Sequence, residues 1–107
     1  MRPSDASHEA VLRIARSHPS LPGHFPGRPL VPGVLLLESV LQAAERWLDR
    51  PLEVRGLPLA KFNAPLLPEQ EARLLLYARH EELRFRILRG DTLLAQGAFT
   101  LTSETAA

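Results

Sequence analysis

Gly33-Val34-Leu35-Leu36-Leu37-Glu38-Ser39-Val40-Leu41-Gln42-Ala43-Ala44-Glu45-Arg46-Trp47-Leu48-Asp49 is the stretch on which the fold turns. Its apolar residues Val34, Leu37, Leu41, Ala44 and Leu48 recur at three- and four-residue spacing, and Pro51 closes the element. The spacing predicts a helix from Gly33 to about Asp49. No other segment carries such a period.

On either side the pattern changes to alternation. From His8 to Ala15, Ala10, Leu12 and Ile14 alternate with Glu9, Val11, Arg13 and Ala15, which predicts a first strand. Beyond the helix, residues 53–62, 71–79, 83–89 and 92–102 read as strands, with Leu83, Phe85 and Ile87 opposing Arg84 and Arg86, and Gly90-Asp91 marking a hairpin. Pro58 predicts a bulge or a sheet edge in the first of these, because proline cannot donate to a ladder. Residues 103–107 are expected to fray. One helix against four or five antiparallel strands, with no repeat or linker, is a single α+β domain over residues 1–107 in which the sheet must bury the helix.

Composition narrows the functional classes. A chain of 107 residues with 45% hydrophobic content buries only a modest core, so association with another chain would add stability. Without cysteine, disulfides and thiolate metal sites are excluded, and a cytoplasmic location is the default. The N-terminus has no apolar signal-peptide core and no stretch reaches a membrane span. Thirteen basic and twelve acidic residues are scattered without a basic block, which argues against a nucleic-acid surface. No His/Asp/Glu cluster has metal-ligand spacing, and Ser17, Ser20 and Ser39 sit in no nucleophile elbow.

The segment before the helix carries the chemistry. Gly23-His24-Phe25-Pro26-Gly27-Arg28-Pro29-Leu30-Val31-Pro32-Gly33 holds three prolines and three glycines, which fix the path of a loop. His24 is an imidazole able to accept a proton near neutral pH. Between Leu21 and Leu37 there is no Ser, Thr, Asp or Asn to cap the helix, so the N–H groups of Gly33 and Val34 lack a side-chain acceptor. They are left to solvent or to a ligand, and a helix start favours negative charge. Glu38, Gln42, Glu45 and Asp49 share one face, the pattern of a solvated stripe. Toward the N-terminus that face continues into Val34 and Leu35, as expected where one half of the helix is enclosed. His8, His18 and His80 read as ordinary surface or packing residues.

The run from Gly23 through Pro26, Gly27, Pro29, Pro32, Gly33, Val34, Leu35 and Glu38 to Gln42 resembles the signature of the 3-hydroxyacyl-acyl-carrier-protein dehydratases of the hotdog fold. A weaker likeness continues through Lys61-Phe62-Asn63-Ala64-Pro65-Leu66-Leu67-Pro68 and Ala95-Gln96-Gly97. The resemblance implies an antiparallel sheet wrapped around one long central helix, and dimers formed by pairing two sheets edge to edge. It implies β-elimination of water from a 3-hydroxyacyl thioester on an acyl carrier protein, without a cofactor or metal. His24 would be the base and Glu38 the acid, Gln42 would support Glu38, Gly33 and Val34 would hold the thioester carbonyl, and Phe25 would line the acyl tunnel. His24 of one subunit would face Glu38 of the other. Pro68-Glu69-Gln70 stands where these enzymes usually carry Pro-Gly-Asp, and the compact chain looks more like the short dehydratases of aryl-polyene-type clusters. A hotdog thioesterase and a non-catalytic hotdog partner subunit are the alternatives; neither nucleic acid nor membrane insertion is expected.

Overall fold

The computed structural model describes residues 5–15 and 31–102. His24 and Phe25, with the rest of the proline-rich loop up to Leu30, lie outside the described residues. Five strands and one helix follow in the order β1 (Asp5–Leu12), α1 (Gly33–Leu48), β2 (Val54–Phe62), β3 (Ala72–Arg79), β4 (Glu82–Arg89) and β5 (Thr92–Leu101). The strands form one sheet in the order β1-β3-β4-β5-β2, with every neighbouring pair antiparallel. This is the hotdog arrangement expected from the sequence.

The sheet is held by alternation. Leu74 and Leu76 of β3 and Leu83, Phe85 and Ile87 of β4 are fully buried, while Arg73, Arg84 and Arg86 between them face outward. The registers Leu74 to Ile87 and Leu76 to Phe85 stack these side chains into rows on one face. The helix lies over that face with Leu35, Leu36, Val40, Ala43 and Ala44 buried. Ala43 and Ala44 are small, so the helix can approach the sheet closely. Gly97 of β5 does the same for β2: a Cβ there would lie 2.4 Å from the Leu59 carbonyl oxygen and 2.7 Å from the Phe85 ring.

Two expectations need correction. Of Val34, Leu37, Leu41, Ala44 and Leu48, only Ala44 belongs to the fully buried stripe. Three consecutive leucines leave the phase of the period open, and the helix settles with Leu36, Val40 and Ala43 toward the sheet, leaving Val34 75% exposed and Leu37 and Leu41 half-buried. The first strand ends at Leu12 rather than Ala15, because its partner β3 ends opposite it at Ala72. Leu12 and Ile14 still point inward.

The ends of the proline-rich loop are tied to one place. The Glu69 N–H donates to the Ile14 carbonyl at 2.8 Å, Arg13 pairs with the Glu69 carboxylate, and the Val31 N–H donates to the Leu66 carbonyl at 2.9 Å. Residues 67–70 form a turn closed by the Gln70 N–H on the Leu67 carbonyl, with Pro68 second and Glu69 third at φ +71°. That is the layout of a type II turn, whose third position favours glycine.

As Pro58 foretold, β2 is an edge strand with irregular register between Val54 and Leu59. Val54, Leu57 and Leu59 are exposed along it. Among the described residues no helix is long and apolar enough to cross a membrane.

Candidate functional site at the start of the helix

Pro32 occupies the cap position of α1 with φ −61° and ψ 146° and has no side-chain hydrogen bond to offer. Its carbonyl accepts the N–H groups of both Leu35 and Leu36, at 3.0 and 3.2 Å. The N–H groups of Gly33 and Val34 find no acceptor among the described residues, as the absence of a capping residue predicted. Among the described residues, the helix therefore begins with two unpartnered donors at its positive end.

One turn on from Val34 is Glu38, and one turn further is Gln42. All three are exposed on one face of the helix. Glu38 lies five residues from Gly33, about 7–8 Å along the axis. The enclosure expected for Glu38 is not supplied by its own chain among the described residues, because the helix turns Leu36 and Val40 to the sheet and this face away from it. Glu38 and Gln42 are not hydrogen-bonded to each other here. Glu45, in contrast, serves the architecture. Its Oε2 accepts the Leu52 N–H at 2.7 Å and its carbonyl accepts the Asp49 and Arg50 N–H groups, which closes the helix. The supposed stripe thus divides into an end that fixes the helix C-terminus and a Glu38–Gln42 pair without a hydrogen-bond partner among the described residues.

Beside the first turn lies a cavity of about 340 Å³, bounded by Val31, Gly33, Leu36, Leu66 and the segment Phe62 to Pro65. Its lining is mostly apolar, with Asn63 as the polar side chain. The tip of the Phe62 ring stands on the Cβ side of Gly33: a Cβ there would lie 2.9 Å from Phe62 Cζ. Phe62 itself is half exposed. Sequence reasoning assigned no role to Phe62 or Asn63. β2 has no buried alternation to single Phe62 out, and the residue stands at the very end of the strand, opposite Ala95.

Comparison with known proteins gives a consistent result. A family model described as ApeI-like, ApeI dehydratase, matches residues 1–98. The 3-hydroxyacyl-[acyl-carrier-protein] dehydratase FabZ of Haemophilus influenzae is 36% identical over 74 residues, covering 62% of this chain and 50% of the relative. The chain thus spans about half the length of the curated relatives it matches. Among solved structures, an uncharacterized protein from Erwinia carotovora subsp. atroseptica superposes with a TM-score of 0.79 at 30% identity, over 95% of this chain and 87% of that one. The dehydratase heterocomplex ApeI:P from Xenorhabdus doucetiae contains a chain that superposes with a TM-score of 0.73 at 28% identity, over 94% and 91%.

Proposed function

Since this chain belongs to the ApeI-like dehydratase family, we propose that it catalyses reversible elimination of water from a 3-hydroxyacyl thioester carried on an acyl carrier protein, giving the 2-enoyl thioester. The pathway is fatty-acid-like or polyene-type, and the compartment is the cytoplasm. The observation that carries the reading is the spacing on one helix face that the described residues leave uncovered, where two N–H groups with no acceptor among those residues are followed one turn later by a carboxylate.

In this reading His24 takes the C2 proton of the substrate. The Gly33 and Val34 N–H groups hold the thioester oxygen as negative charge develops on it. Glu38 gives a proton to the C3 hydroxyl, which leaves as water, and the C2–C3 double bond forms. Gln42 is within reach to hold Glu38 by a hydrogen bond, and Phe25 lines the acyl path. The electrons of the broken C2–H bond become the new π bond, so no cofactor is required.

The working unit is a dimer, either of two copies or with a related hotdog chain. An edge strand that exposes Val54, Leu57 and Leu59 is an aggregation hazard unless it is paired. The bare face of α1 also combines apolar Val34 and half-buried Leu37 and Leu41 with Glu38, a composition better suited to a covered surface than to water. His24 of one subunit then serves Glu38 of the other.

The test is to offer the purified protein a 3-hydroxyacyl thioester and its 2-enoyl counterpart and to follow loss or gain of water by mass. Interconversion is expected. Release of free thiol without enoyl product would assign a hydrolase instead, and carrier binding without turnover would assign a non-catalytic subunit.

A further inference from the structure

Phe62 is half exposed, and its backbone position is set by the sheet. It is the last residue of β2, and the backbone just after it is pinned, because the Asn63 and Ala64 N–H groups both donate to the Leu94 carbonyl, at 2.8 and 3.2 Å. Leu94 is the extra residue at the point where the β4–β5 register slips between Ile87 and Leu88, and such an irregularity re-aims the groups around it. The ring consequently reaches back from the sheet edge to the start of the helix. Three of its atoms lie 2.9–3.3 Å from the position of a Cβ on Gly33. A methyl group added at Gly33 would require the ring tip to shift.

We propose that Phe62 is a specificity-determining residue, whose ring excludes acyl thioesters branched at the carbon next to the thioester carbonyl. The proposal rests on the reading that the Gly33 and Val34 N–H groups hold that carbonyl. A carbonyl oxygen accepting from them at about 2.9 Å places the neighbouring carbon within about 5 Å of the first-turn backbone. The tip of the Phe62 ring stands beside the same backbone. A straight chain, flat at this carbon once the double bond forms, passes the ring tip and keeps its C3 on the Glu38 side of the helix. A methyl branch on the same carbon meets the ring as a Cβ on Gly33 would. Shortening the ring removes the obstacle without touching the N–H donors, His24 or Glu38.

The test compares straight and 2-methyl-branched 3-hydroxyacyl pantetheine thioesters as substrates of the native protein, Phe62→Leu and Phe62→Ala. Saturated pantetheine thioesters of both shapes, which have no hydroxyl to lose, are compared in parallel by binding calorimetry. The native protein should favour the straight substrate in kcat/KM by about 10–200-fold, the range over which one methyl group is discriminated. Phe62→Ala should bring the ratio within a few-fold of unity, with Phe62→Leu between. Because each ratio is taken within one variant, a general loss of folded protein cancels. An unchanged ratio in folded Phe62→Ala and Phe62→Leu overturns the proposal, as does native protein that accepts both shapes equally. If nothing turns over but the binding ratio still responds to Phe62, the dehydratase reading fails and the steric role stands; if neither saturated thioester binds, both fail. The contact itself is read from thermal unfolding: Gly33→Ala should lower Tm in the native background and lower it less beside Phe62→Ala, and a non-additivity indistinguishable from zero would remove the geometric premise.

Discussion

Replacing Gly97 by alanine inserts a single carbon at the seam between β2 and the rest of the sheet. That carbon would sit 2.4 Å from the Leu59 carbonyl oxygen and 2.7 Å from two atoms of the Phe85 ring. Phe85 is 1% exposed and enclosed by the core, so its ring has nowhere to go, and the oxygen belongs to backbone paired through Leu59 to Ala98 and Ala60 to Gly97. Relief requires β2 to move away from β5. Overpacking of this kind costs roughly 1–3 kcal/mol, and a backbone neighbour argues for the upper half. Loss of the flexible glycine from the unfolded chain returns about 0.4–1 kcal/mol. A net destabilisation of about 2 kcal/mol corresponds to a fall in Tm of roughly 8 °C for a chain of this size. Thermal unfolding followed by circular dichroism at fixed protein concentration measures it. Gly56→Ala is the matched control, since a Cβ there meets nothing within 4 Å, and its Tm should stay level or rise. Equal Tm values for the two variants would refute the argument that Gly97 is required by close approach of β2.

Other outcomes follow from the same geometry. His24→Ala and Glu38→Ala proteins, each expected to lose about 10²–10⁴-fold in turnover, should recover roughly a quarter of native activity when unfolded and refolded together, because random pairing makes half the dimers mixed and each mixed dimer has one intact site of two; a mixture that stays inactive despite demonstrated subunit exchange would place base and acid in one chain. At Glu69, where φ is +71°, glycine should be neutral to slightly stabilising, since release from the left-handed region offsets the exposed Arg13 pair, while Glu69→Val should cost about 1–2 kcal/mol; valine matching glycine in Tm would contradict the turn assignment.

Most of the strand pattern could be read from the sequence because one face of the sheet is wet and the other dry. Leu83-Arg84-Phe85-Arg86-Ile87 admits one orientation only, and the structure adopts it. The helix was equally clear as an element but not in its rotation: Leu35, Leu36 and Leu37 are interchangeable to a periodicity argument, and only contact with the sheet selects Leu36 and Val40. The uncapped helix start was legible from composition alone. Phe62 over Gly33 was not, because the two residues are far apart in sequence and meet only through the register of β2 on β5. The Glu38 carboxylate was singled out by motif, whereas its exposure in a single chain follows from the helix phase.

The paired ties at Ile14 and Val31 bear on how this protein can change over generations. Residues 16–30 bridge two points that are both fastened to the stretch Leu66 to Glu69, so the cost of closing that bridge is met once by the sheet and the turn. For a flexible connection, doubling the number of residues adds only about 0.6 kcal/mol to closure. Length changes over residues 16–22, ahead of the proline-rich motif, are therefore expected to be thermodynamically inexpensive, while loss of either backbone tie frees one end of the bridge. Relatives should differ in length ahead of the Gly23–Gly33 motif rather than within it, and a library varied over residues 16–22, with His24, Phe25, Ile14, Val31, Leu66 and Glu69 left intact, is where new acyl preferences can be sought without unfolding the domain.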